Sequence, residues 1–166
     1  VDLEPLFERM TAIGVRVALD TSGEPLNYWA RRGLASIIKP NAEELASAVG
    51  RSLHTVGDVI DDPACGVGDH VEARTPPVKV INTVGAGDAT MAGFLSAVAS
   101  NPIAEGADDY GLGYNVPLGV STAVQWGAIA VTQPTSGLAN IDNLPPAILD
   151  EAPDRSAALE EPAILK

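Results

Sequence analysis

Apolar residues recur at helical spacing from the start of the chain. Leu6, Met10 and Ile13 share one face of a helix expected from Glu4 to Ile13, and Gly14 marks its stop. Val15 to Leu19 then reads as a short strand ending at Asp20, followed by a turn over Thr21 to Pro25 and a helix from Leu26 to Arg32. The run Ala35 to Lys39 predicts a second strand, closed by Pro40. Asn41 is a favourable cap for the next helix, and Glu43 and Glu44 in its first turn complement the helix dipole. A short helix from Thr55 to Ile60, a β-branched strand from Val78 to Ile81 and a helix from Asp88 to about Ala99 follow. A loop over 101–117 leads to a last helix, Leu118 to about Ile129. Short strands alternating with helices predict an α/β domain with a mainly parallel sheet. One interval breaks the pattern, because Asp61 to Arg74 holds almost nothing from which a buried strand could be built.

Composition narrows the function more than the fold. The 166 residues suffice for one compact domain, and with 46% apolar but 4% aromatic residues the core must be filled by aliphatic side chains. A net charge of −12 argues against nucleic-acid binding, which depends on basic residues neutralising phosphates. The same charge does not forbid an anionic ligand, since local amides and basic groups act at shorter range than the global field. No apolar run is long enough to span a bilayer, and Cys65, the single cysteine, leaves no disulfide framework or thiolate cluster. No membrane contact and a cytoplasmic location are therefore expected. His54 and His70 lack partners at metal or triad spacing and read as surface or loop residues, while Trp29 and Trp126 read as core or interface residues.

The chemistry concentrates in Asn82-Thr83-Val84-Gly85-Ala86-Gly87-Asp88, between the expected strand and helix. Gly85 and Gly87 allow backbone conformations closed to other residues and a close approach by a ligand. The first amides of the helix have no intrahelical acceptor and lie at its positive end, so a phosphate fits there. Asp88 would stand beside it, able to take a proton from an attacking hydroxyl. The residues alone leave a second reading open, in which the glycines form a plain turn and Asp88 merely caps the helix. Two other phosphate motifs are not met: no Lys follows Gly87 as a P-loop requires, and the sixth position counted from Gly85 is Thr90, not the glycine or alanine of a dinucleotide fingerprint. A nucleotide-dependent oxidoreductase is accordingly a weaker alternative.

This segment resembles the Asp/Asn-Thr-x-Gly-Ala-Gly-Asp signature of the ribokinase-like (PfkB) carbohydrate kinases. Leu19-Asp20-Thr21-Ser22-Gly23, Ile38-Lys39-Pro40-Asn41-Ala42-Glu43-Glu44-Leu45 and a late Gly127-Ala128 segment match in the family's order, over about Leu3 to Pro146. The Asp-Thr-Ser-Gly strand end and Asn82 in the leading position are similar to the phosphosugar branch. The resemblance implies a three-layer α/β/α fold and ATP- and Mg²⁺-dependent phosphorylation of a phosphosugar hydroxyl. Fructose 1-phosphate leads as substrate, ahead of tagatose 6-phosphate and fructose 6-phosphate. It makes Asp88 the catalytic base, Gly85, Ala86 and Gly87 the anion hole, and Thr83 a loop-shaping residue near phosphate. It assigns Asn41 and Glu44 to Mg²⁺, directly or through water, although the pair fits a capping box equally well. Lys39 would approach the ATP phosphates, or else is an ordinary solvated lysine. Gln133-Pro134-Thr135-Ser136-Gly137 corresponds to a region bordering the adenine, and Asp20 and Ser22 read as turn-shaping residues.

The resemblance covers only the C-terminal part of the family pattern. The sugar-binding half is absent, and a strand, a nucleotide loop and a hairpin are missing from 61–74. The expected organisation is a partial kinase domain over 1–149 and an acidic Ala/Pro-rich tail over 150–166, frayed or extended. The alternative is a truncated non-catalytic remnant that binds nucleotide or a partner, or does neither. Sheet edges left open by missing strands would invite pairing, so a homodimer is also expected.

Overall fold

The computed structural model describes residues 3–62, 70–103, 113–138 and 141–159. The chain divides into two compact units, one formed by Val1–Gly66 with Arg155–Lys166 and the other by Val67–Asp154. Their boundary falls inside the 61–74 interval that stood out in the sequence. Cys65 and residues 160–166 of the tail lie outside the described residues.

In the first unit, α1 (Glu4–Ala12) starts with Pro5 in its first turn, where a missing amide costs nothing, and carries Arg9 in its last turn. The strands β1 (Ala18–Leu19) and β2 (Ile37–Ile38) pair in parallel, with Ala18 opposite Ile37 and Leu19 opposite Ile38. Both are shorter than the apolar runs that predicted them, because only two residues of each find a partner. The helix α2 (Gly23–Arg32) begins three residues earlier than expected. Ser22 takes the extended cap conformation, and Pro25 is accommodated in the first turn, so the residues read as a turn are the helix start.

Leu26 of α2 is the most deeply buried side chain, at 2% exposure. Trp29 makes edge-on contacts with Phe7 (centroids 4.5 Å apart) and Tyr28 (4.9 Å), consistent with a packing role. Tyr28 donates to Glu4 at 2.9 Å, and this bond to a carboxylate raises the phenol's pKa. Arg32 also pairs with Glu4, tying α2 to the start of α1.

The helix α3 (Ala42–Val49) has the expected Asn41 cap, and α4 (Val56–Ile60) is capped by Thr55. At α4 the Asp58 carboxylate accepts the His54 and Thr55 amides, each at 2.9 Å, and its pKa is lowered chiefly by those two bonds. The tail is not frayed up to residue 159. Val56 donates to the Ala157 carbonyl, Gly57 to that of Arg155, and Leu159 to that of His54, each at 2.9 Å. Arg51 pairs at 3.0 Å with the buried Asp62.

The second unit is organised by two fifteen-residue helices, α5 (Ala86–Ser100) and α6 (Val116–Ala130). They pack closely because glycines stand where they meet. A Cβ on Gly93 would lie 2.8 Å from the Thr122 carbonyl oxygen and 3.0 Å from Trp126 Cγ. A Cβ on Gly119 would lie 2.6 Å from the Phe94 ring, and one on Gly127 would collide with the Thr90 hydroxyl. Trp126 thus packs within the unit, as its sequence context implied. Asn115 caps α6, accepting the Leu118 amide at 3.0 Å, and Pro117 sits in the first turn, so α6 starts before the expected Leu118.

One strand expectation needs correction. Val78 to Ile81 forms no strand among the described residues. Its link to a neighbour is the Ile81 amide donating to the Val131 carbonyl at 2.7 Å, and Ile81 is left 57% exposed. Conversely, Glu72–Arg74, within the interval that held almost nothing for a buried strand, forms a short strand without fully buried residues, β3, which pairs antiparallel with β4 (Ile148–Asp150). Strand formation needs an adjacent edge more than it needs β-branched residues. The described sheets are therefore partial, one parallel pair and one antiparallel pair, in an otherwise α/β order of elements.

Candidate functional site

The Asn82–Asp88 loop is built by local hydrogen bonds that turn the chain into α5. The Asn82 side chain accepts the Val84 amide at 3.0 Å, and the Thr83 carbonyl accepts the Ala86 amide at 3.2 Å. Gly85 is the cap of α5, with φ 83° and ψ −1°, a left-handed conformation that side chains resist. It is constrained sterically as well, since a Cβ there would lie 2.7 Å from the Ser136 carbonyl oxygen. Two independent demands thus fall on one glycine.

The Gly85 carbonyl accepts the Ala89 amide at 2.9 Å, but no side chain caps this helix. Among the described residues, the amides of Gly87 and Asp88 meet no acceptor. Both residues are exposed, and the Asp88 carboxylate makes no hydrogen bond or ion pair among the described residues. The arrangement is two open donors at a helix N-terminus with a free carboxylate beside them. Such a group of donors can hold an anion, and such a carboxylate can accept a proton. Ser136, for which sequence reasoning had no specific role, abuts this loop through its backbone. A glycine's steric contact leaves no trace in motif spacing, so the sequence held no signal for it.

The remaining site residues predicted from the sequence lie in the first unit. Asn41 Oδ1 accepts the Glu44 amide at 2.8 Å, and Glu44 Oε2 accepts the Asn41 amide at 2.9 Å. The capping-box geometry is therefore formed. It leaves Glu44 Oε1 and a lone pair on Asn41 Oδ1, hard oxygen donors of the kind Mg²⁺ accepts while keeping several waters. Among the described residues no group of three or more His, Cys, Asp or Glu side chains is disposed to hold a metal. The pair consequently fits Mg²⁺ only with water and phosphate oxygens completing the shell. Lys39 is not simply solvated, because its Nζ lies 3.3 Å from Asp20 Oδ1. Lys39, Asn41 and Glu44 thus belong to one unit, and Thr83, Gly85, Ala86, Gly87 and Asp88 to the other.

The pattern of the pfkB family carbohydrate kinases matches residues 62–142, which contain the whole glycine loop. Over that stretch the chain is similar to the PfkB family. Among curated proteins it is 32% identical over 174 positions to a 1-phosphofructokinase of Rhodobacter capsulatus, an alignment taking in 92% of this chain and 47% of the relative. It is 33% identical over 108 positions to a 1-phosphofructokinase of Haloferax volcanii, with 49% of this chain and 33% of the relative covered. The ATP-dependent 6-phosphofructokinase isozyme 2 of Escherichia coli is 29% identical over 131 positions, covering 61% of this chain and 41% of that protein. The chain thus spans less than half the length of each of these relatives. No helix among the described residues is long and apolar enough to cross a membrane.

Proposed function

We propose that this chain is the nucleotide- and base-bearing part of an ATP-dependent phosphosugar kinase, acting most naturally on fructose 1-phosphate to give fructose 1,6-bisphosphate. The observation that carries the reading is the α5 N-terminus, with its Gly87 and Asp88 amides open and the Asp88 carboxylate unengaged. Phosphoryl transfer asks a protein mainly for positioning and charge stabilisation. In this reading the Gly85-Ala86-Gly87 turn forms the anion hole, its Gly87 amide open while that of Ala86 stays bonded to the Thr83 carbonyl, Thr83 shapes the loop, and Asp88 accepts the hydroxyl proton as the substrate oxygen attacks. Lys39 and Asn41 approach the nucleotide phosphates. Asn41 and Glu44 would hold Mg²⁺ through their remaining oxygens, and the ion would supply positive charge to nucleotide phosphates.

Two relatives named 1-phosphofructokinase favour fructose 1-phosphate, and one named 6-phosphofructokinase keeps fructose 6-phosphate as the close competitor. Tagatose 6-phosphate, an isomer of equal charge, is a third candidate substrate. A cytoplasmic location and a homodimer complete the reading.

The second reading, a non-catalytic nucleotide-binding remnant, also has a specific observation in its favour. The alignment with the R. capsulatus protein needs 174 positions, more than the 166 residues of this chain, so some of the relative's residues have no counterpart here. A shortening in the 61–74 interval would account for that difference.

ADP release with each of the three phosphosugars, beside calorimetric titration with MgATP, separates the readings. Turnover fastest on fructose 1-phosphate supports the kinase. MgATP binding without ADP release supports the remnant. Neither binding nor turnover sinks both.

A further inference from the structure

The parallel pairing of β1 and β2 places Leu19 opposite Ile38, so Asp20 and Lys39 each stand one residue beyond a strand, at the same carboxyl end. The ladder continues one step past the strands, with the Lys39 amide donating to the Leu19 carbonyl at 3.4 Å. From these anchored positions the two side chains meet, Nζ to Oδ1 at 3.3 Å. Carboxyl ends of parallel strands are where open α/β folds place their ligands.

We propose that Asp20 is a positioning residue, holding the Lys39 ammonium over the strand ends so that it is set in advance for the phosphates of a nucleotide. The inference rests on the nucleotide role assigned to Lys39 in the proposed function. An ion pair with side chains 27% and 33% exposed contributes little to stability. Its consequence is geometric. The lysine arm carries four rotatable carbons, and ordering it only when a ligand arrives subtracts from affinity. Asp20 restrains the arm beforehand. As the phosphates bind, the ammonium stays between two anionic partners and no covalent bond changes.

A carboxylate near phosphates could also act the opposite way, by repelling them, and a double-mutant cycle separates the two. The test is calorimetric titration of the whole chain with MgATP, for the wild type, Asp20→Asn, Lys39→Met and the double variant, each checked by its thermal midpoint. Asp20→Asn is expected to weaken binding about threefold, in keeping with a half-exposed pair, and Lys39→Met about tenfold as a whole charge–phosphate contact is lost. The double variant should bind no more weakly than Lys39→Met, since an arm that is absent needs no positioning. Asp20→Glu should recover part of the loss.

Tighter binding by Asp20→Asn, or losses that simply add, would overturn the inference while leaving the nucleotide reading intact. Wild-type affinity in Lys39→Met would overturn the role of Lys39 and the inference with it. Failure of the wild-type chain to bind MgATP at all would overturn both.

Discussion

The helices α3 and α5 begin alike in sequence, each following an apolar run and each carrying an acidic residue in its first turn, yet their N-termini are finished differently. At α3, Asn41 and Glu44 exchange side-chain bonds with each other's amides. The helix α4 repeats the arrangement with Thr55 and Asp58. At α5 the cap is a left-handed glycine with no side chain to offer, and the Gly87 and Asp88 amides stay open. A closed start stabilises its own helix, whereas an open one forgoes that stabilisation and keeps its donors for something else. The contrast teaches which of two motif-bearing helix starts can serve an anion without first breaking an internal bond.

The comparison breaks most decisively at Asp88. In any turnover the protein supports, Asp88→Asn should lower kcat by about 10²–10⁴-fold, the usual contribution of a positioned base, with only a small fall in thermal midpoint, because among the described residues Asp88 has no hydrogen-bond or ion-pair partner and loses just its charge at the helix start. Activity within a few-fold of wild type would return Asp88 to a simple first-turn residue. Next in size is Gly85→Ala. Left-handed strain costs about 1–2 kcal/mol, and the clash with the Ser136 carbonyl adds to it, so urea unfolding should show a loss of roughly 2–3 kcal/mol.

Asn41→Ala should cost about 1 kcal/mol by the same measurement, as removal of a helix cap does. Asn41→Asp, which keeps the acceptor, should cost far less. If the pair also serves Mg²⁺, Glu44→Gln should raise the Mg²⁺ concentration needed for nucleotide binding.

The smallest effect concerns pH at α4. The folded pKa of Asp58 is lowered below its ordinary 3.8 by the His54 and Thr55 amides, so its stabilisation is complete above the ordinary aspartate range. It fades as pH falls through the lowered folded value. The gap between wild type and Asp58→Asn in urea midpoint should therefore close on acidification and stay constant near neutrality.

What could be read in the sequence was whatever local chemistry decides. The Asn41 cap of α3, the glycine turn that leads into α5 and the extent of α1 follow from residues within a few positions of each element, although α5 begins at Ala86, two residues before the expected Asp88. The strands did not follow, because pairing partners are remote. Val78 to Ile81 has the right residues and no neighbouring edge, while Glu72–Arg74 has unpromising residues and finds β4 some seventy positions later. The glycine loop was legible through its motif, as was the Asn41–Glu44 pair through its spacing. The Asp20–Lys39 pair was hidden, since a contact between two strand ends depends on register, which no spacing along one chain reveals.

The glycine seam fixes α5 against α6 along most of its length. Gly93 presses on Thr122 and Trp126 near the middle of α5, Phe94 and Val98 meet Gly119, and Thr90 meets Gly127 in the half that carries Asp88. A larger side chain at Gly119 would strike the Phe94 ring first and Val98 next, and a shift of α5 by about 1 Å to relieve the clash should carry Asp88 with it. Displacements of about that size at a reacting centre can cost on the order of a hundredfold in rate. A substitution deep in the helix pair, touching no ligand, would then read out as a catalytic defect.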